Sequence, residues 1–357
     1  MKTYKKFISI IFLRSVLYVS SIIFSLIFIL NLLSEFEFFK NLNVNTSFPI
    51  FLSLLNSPDL LFQMFPFIFL IATQLFFIKL FSNNEIEIFK YSGLKNSKIL
   101  MMLSILTIFF GILITFIFYN LTSNLKNFYL ELKSPYADDG KYLAVITKNG
   151  LWIKDEIDGK IYIINSSEIS NNYLIDNFIT EFDKDYNVKK NFRSKKIDVS
   201  SNEWLIYNVK IFEKNNYIFK EKFKIKTNFN YKRINSLYSN LSSLTFFQLF
   251  ELRKNYKKLN YSLTEIDLQF LKLFSYPLFL LLITNFSALI MFRIKRLENS
   301  TSKIALGLFF SVIIYYINNF FNVLGSTEKI PLTMSIFIPL IILTFINGLM
   351  LKGINEK

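Results

Sequence analysis

The residues best placed to do chemistry are two carboxylates, Glu85 and Glu87, in the stretch SNNEIEIFKYSGLKNSK. A short helix is expected over 83–92, because Asn83 or Asn84 can cap it and carboxylates suit the positive end of its dipole. Gly93 sits where a left-handed glycine stops a helix. Ile86 and Phe89 are three apart and share a face, so the helix is amphipathic. A carboxylate there has two uses: it stays solvated on a connecting helix, or it meets a cation of a partner. Other chemistry is thinly supplied. The 357 residues contain no Cys and no His, which removes disulfides, thiolate nucleophiles and the commonest general base and metal ligand. None of the nine Gly falls in a GxxxxGK[ST] loop, so the chain has no phosphate cradle of its own. The expectation is a non-enzymatic subunit without cofactor, whose work is supplied by a partner.

The elements that carry this helix are apolar. The chain is 52% hydrophobic with 43 Phe, and only 19% of residues are charged. A bilayer core of about 30 Å needs roughly 20 apolar residues as a helix. Runs of that length occupy 7–33, 60–80, 99–120, 269–292, 304–324 and 331–351, three before and three after a polar insert. Six such runs exclude a soluble domain, and the first is too long for a cleaved signal. Charges inside the runs, Arg14, Lys79 and Lys272, lie near ends where long side chains snorkel. No buried carboxylate relay is visible. The net charge of +15 could suggest nucleic acid, but its placement does not. On one side the short loops hold twelve cations: Lys2, Lys5, Lys6, Lys90, Lys95, Lys98, Arg293, Lys295, Arg296, Lys303, Lys352 and Lys357. The other side holds Lys40 and Lys329. That asymmetry puts both termini in the cytoplasm and the insert outside.

The insert reads as β-rich. Asn149-Gly150 between YLAVITK and LWIKD predicts a hairpin, and Asp158-Gly159 a second turn before KIYIIN. Residues 204–212 make another strand. Over 217–226 the alternation predicts Tyr217, Phe219, Phe223 and Ile225 on one face and Lys220, Lys222, Lys224 and Lys226 on the other. The lysine face is either a protected, solvated edge or a surface for an anionic partner. Residues 245–259 read as a helical connector into the fourth membrane helix. The division is thus 1–123 with the first three membrane helices, 124–267 with the β-rich domain, and 268–357 with the last three.

The chain resembles the LptF/LptG permease family of lipopolysaccharide export. The likeness rests on FPFIFLIATQLFFIKLFSNNEIEIFKYSG at 65–93, on NGLWIKD at 149–155, and on YYINNFFNVLGSTEKIPLTMSIFIP near the end, with Gly325, Pro331 and Pro339. The GLW segment and this tail favour the LptG side. The resemblance implies a six-helix inner-membrane permease with a periplasmic, jelly-roll-like β-domain. It implies a second LptF/LptG-type permease, an LptB-type ATPase dimer that holds ATP and Mg, and LptC- and LptA-type periplasmic bridge proteins. It implies that Glu85 anchors a coupling helix in an ATPase groove, with Ile86 and Phe89 packing beside it and Gly93 ending it. Basic residues of the family meet lipid phosphates after the first helix, but here that stretch is LSEFEFFKN. Lys40, Lys126 and Lys133 are the candidates for such contacts.

Three rivals are weighed against this expectation. Another ABC permease, for lipoprotein release or peptide efflux, commonly has four membrane helices. A membrane-anchored lipid enzyme lacks the His, Cys or acid pair it would use. A structural envelope scaffold would copurify no ATPase.

Overall fold

The computed structural model describes residues 3–42, 44–133, 136, 151–157, 159–170, 172–184, 186–213, 216–231, 234, 240–258, 263–293, 300–352 and 354–355. The chain divides into two compact units, one of residues 1–126 with 264–357 and one of residues 127–263.

Among the described residues of the first unit, six helices are long and apolar enough to cross a membrane. The first is α1 (Thr3–Phe39) and the second α2 (Ser47–Ser82), which begins well before its expected apolar run. The short α3 (Glu85–Tyr91) follows. The third span starts as α4 (Asn96–Leu113), passes through a π-helical turn at Ile114–Phe118, and continues as α5 (Tyr119–Lys133). The last three are α7 (Thr264–Arg293), α8 (Ser300–Ser326) and α9 (Leu332–Leu351); α6 (Phe246–Lys258), which precedes them in the chain, belongs to the second unit.

Helices α2 and α7 are the buried axis of this unit. More than half of each apolar window is covered, 56% in both. Leu70 of α2 packs with Ile283, Phe286 and Ile290 of α7 and with Ile336, Leu340 and Leu343 of α9. Polar side chains in this core bond to backbone: Ser287 Oγ donates to Leu70 O at 2.8 Å and Asn347 Nδ2 to Leu282 O at 2.9 Å. Such bonds are what an apolar surrounding demands, because no water is there to replace them. By contrast α1 and α8 have only 17% and 11% of their windows covered. Their bare surface is apolar, as Leu17, Leu26 and Leu30 show on α1 and Phe309 and Phe320 on α8.

Among its described residues the second unit holds six antiparallel strands in sequential order: β1 (Leu151–Ile157), β2 (Lys160–Ser170), β3 (Tyr173–Phe182), β4 (Val188–Asp198), β5 (Glu203–Glu213) and β6 (Asn216–Lys226). The β1–β2 turn closes at Gly159, whose φ of 75° is a left-handed value that suits glycine. The Asn149-Gly150 hairpin lies outside the described residues. The core gathers Ile153, Ile164, Ile179, Phe192, Trp204 and Phe229. Burying the Trp204 ring takes roughly 200 Å² from water, about 5 kcal/mol. Its indole N–H donates to Phe229 O at 2.8 Å.

A crease crosses this sheet. Asp176 in β3 and Asn208 in β5 have φ of 48° and 50°, the left-handed region that Asp and Asn tolerate best after Gly. At each the buried positions shift by one: Leu174 before Asn177 and Ile179 in β3, Trp204 and Ile206 before Val209 and Ile211 in β5. The pairing register stays continuous on both sides, with Ile175↔Lys196 and Asn177↔Ser194, then Tyr207↔Lys222 and Val209↔Lys220. Asn177 fills the crease: its amide donates to Leu174 O at 2.9 Å and its oxygen accepts from Ser166 Oγ at 2.5 Å. The crease corrects the expected β6 alternation. Phe223 and Ile225 pack on the core, but Tyr217 and Phe219 are 67% and 53% exposed. Paired residues share a face, so Ile218 and Lys220 lie on the side of Ile211 and Val209 instead.

Candidate functional site: the α3 turn and the helix faces around it

Between α2 and α3 the chain must reverse within two residues. Asn84 does this with φ of 55°. The expected side-chain cap is absent at Asn84; its backbone carbonyl accepts from Glu87 N at 3.1 Å and Ile88 N at 3.2 Å. The reason is conformational: an N-cap side chain works from an extended backbone, and the reversal takes Asn84 to the left-handed region. Asn83 acts differently, donating from Nδ2 to Glu85 Oε1 at 3.2 Å. The helix ends as expected. Gly93 has φ of 76°, its N–H reaches Lys90 O at 2.9 Å, and Leu94 N reaches Phe89 O at 2.8 Å. This pair of bonds is the Schellman stop.

Glu85 therefore has one oxygen engaged by Asn83. Its Oε2 is covered and has no hydrogen-bond partner among the described residues. A covered carboxylate oxygen without a donor is costly, and a cation from outside would relieve it.

Ile86 and Phe89 share a face, as their spacing requires, but that face turns into the chain. Ile86 is 2% exposed, and the Phe89 ring meets Phe7 of α1 edge-on, centroids 6.2 Å apart. The side chains presented outward are Glu87, Ile88 and Tyr91, the last 91% exposed. The chain's far end closes the base of this turn. Ser97 N donates to Asn355 Oδ1 at 3.1 Å, capping α4, and Asn96 Nδ2 donates to Ile354 O at 2.9 Å. Arg293 donates to Leu349 O and Met350 O, both at 3.2 Å, which satisfies carbonyls at the α9 terminus.

The three candidate phosphate lysines have different surroundings. Lys40 is exposed in the turn after α1. Lys126 is engaged internally: its amine donates to Asn56 Oδ1 and lies 3.9 Å from Asp59 Oδ2. Lys133 is buried, its amine 3.0 Å from Tyr129 Oη and over the same ring. The Lys126 pairing belongs to a network the sequence reading missed. Asn56 Nδ2 donates to Asn31 Oδ1 at 3.0 Å, Asn31 Nδ2 to Ser53 O at 3.1 Å, and Gln63 Nε2 to Asp59 Oδ2 at 3.3 Å. A buried carboxylate thus stands inside a membrane-type helix. It escaped notice because Asp59 borders the 60–80 run, whereas α2 reaches back to Ser47.

A model of the lipopolysaccharide export system permease LptF/LptG family matches residues 8–352. A comparison with curated proteins found no match.

Proposed function

The chain belongs to the LptF/LptG family of lipopolysaccharide export permeases, and on that footing we propose that it is one half of an ATP-driven extractor. It sits in the bacterial inner membrane with both termini cytoplasmic. A second LptF/LptG-type permease pairs with it, and an LptB-type ATPase dimer binds the α3 side. The lipid leaves the outer leaflet of that membrane through the cavity the two permeases enclose and passes to LptC- and LptA-type bridge proteins. The bare apolar faces of α1 and α8 support this reading, since they suit acyl chains and a second helical partner.

The observation that carries the coupling is the half-satisfied carboxylate of Glu85 at the head of a surface helix. In this reading an ATPase Arg or Lys reaches Oε2, and Ile88 and Tyr91 supply the apolar contact. Losing one member of a desolvated pair costs on the order of 3 kcal/mol, roughly a hundredfold in association. An exposed pair would cost under about 1 kcal/mol. Glu85→Ala should therefore shed the ATPase during copurification and abolish lipid release from reconstituted vesicles, with membrane insertion intact. Glu85→Lys should be worse. Glu87→Ala, about 200° round the helix, should do much less. Normal copurification and release with Glu85→Lys would remove the carboxylate from the coupling.

A further inference from the structure

We propose, resting on the permease reading, that three membrane helices break in one shared layer and that this layer is a hinge of the transport cycle. Each break has its own chemical cause. In α2, Pro66 has no N–H to return to the carbonyl of Phe62. In the third span, Ile114–Phe118 is π-helical, and Tyr119 N bonds back to Ile114 O across five residues. In α7, Pro277 likewise leaves the carbonyl of Leu273 without its helical donor.

The breaks touch one another. Tyr276, next to Pro277, donates its hydroxyl to the carbonyl that Pro66 orphans, Phe62 O, at 2.5 Å. The Phe62 and Tyr276 rings stack with centroids 4.8 Å apart, and Tyr119 lies 5.3 Å from Phe62. Phe65 meets Phe118 of the π turn at 5.4 Å. Gly111, just before the π turn, lets the third span lie directly on Pro277: a Cβ there would stand 2.9 Å from Pro277 Cα and 3.1 Å from its Cβ. On either side the packing is regular. Leu70, Ile283, Phe286 and Ile290 lock one end, and Asn31, Asn56, Asp59 and Lys126 tie the other.

Helices bend where a ladder bond is missing or a π turn intervenes, and elsewhere they resist. Three such places in mutual contact bend together or not at all. The polar link that joins the layer is a hydroxyl to a free carbonyl, which can break and re-form without leaving a severed helix bond.

The sequence has no Cys, so Met101→Cys and Glu265→Cys give two unique spin-label sites, one on each side of the layer. In the assembled complex in vesicles, a non-hydrolysable ATP analogue should change the 101–265 distance distribution. Pro66→Ala with Pro277→Ala restores both ladder bonds; it should retain the ATPase, lose that change, and cut lipid released per ATP by at least about tenfold. An unaltered distance change with unaltered release overturns the hinge. A parent chain that recruits no ATPase or releases no lipid overturns the permease reading instead. A measurement without helix-altering substitutions guards against a misfolded variant. In the full chain in nanodiscs, amides of 112–119 and 273–281 should exchange hydrogen at least about tenfold faster than those of 100–108 and 283–291. Uniform protection across these segments also overturns the hinge.

Discussion

Asp155 shows how much one buried charge can hold in the β unit. It is 1% exposed, yet its carboxylate accepts from Thr227 Oγ1 at 2.7 Å, Asn228 N at 3.0 Å and Asn228 Nδ2 at 2.8 Å. It thereby fastens β1 to the segment after β6. Asp155→Ala would leave the buried Thr227 hydroxyl without its acceptor and release the exposed Asn228, a loss of about 1–3 kcal/mol. Both tryptophans, Trp152 and Trp204, lie in this sheet, so their fluorescence during denaturant unfolding of the full chain reads that loss directly. Tyr162 adds a pH dependence. Burial, and then the Glu181 carboxylate, push its phenol above the ordinary value. A group whose folded pKa is raised contributes stability that is fully present below its unfolded pKa, about 10, and is lost as pH rises through the folded value. The β unit should lose stability above about pH 10, and Tyr162→Phe should flatten that fall. An unchanged alkaline profile in the variant would assign the loss to other groups.

At the scale of elements, the crease decides which side chains of β3 to β6 meet the core. Its left-handed residues are its weak points. Asn208→Gly should leave stability unchanged or slightly raised, because Gly enters that region freely. Asn208→Val should cost about 1–3 kcal/mol, because a β-branched side chain strains there. Tryptophan fluorescence of the two variants compares them, and equal midpoints would deny that the backbone conformation matters. The α3 turn shows the opposite economy of signal. Gly93 announces its stop in the sequence and delivers it as a Schellman pair, since the motif is local. Which way the helix faces is not local. Ile86 and Phe89 share a side by periodicity alone, but only packing against α1 turns that side inward and leaves Ile88 and Tyr91 outside.

For the whole molecule, the cation asymmetry of the short loops sets an expected topology. A cytoplasm-specific reporter fused at Lys357 should be active, as should a periplasm-specific reporter inserted near Asn171. A periplasm-specific reporter active at Lys357 would invert the permease in the bilayer. The sequence by itself determined the six apolar spans, the strands of the insert, the glycine stop of α3 and the lack of a nucleotide loop. Each of these is written in composition, in a period of 3.6 or 2, or in a glycine at a stop, which are properties of neighbours along the chain. Tertiary structure alone decided that Lys126 pairs with Asp59 and Asn56 rather than standing open to a phosphate. It alone decided that Asn355 caps a helix starting at Asn96, that Asp176 and Asn208 crease one sheet, that Gly111 lies on Pro277, and that Tyr276 bonds the carbonyl of Phe62. These are contacts between residues tens to hundreds of positions apart. A periodic pattern fixes which face of a helix or strand is apolar, but not which other face it will meet, because that choice is made by packing the whole set of faces at once.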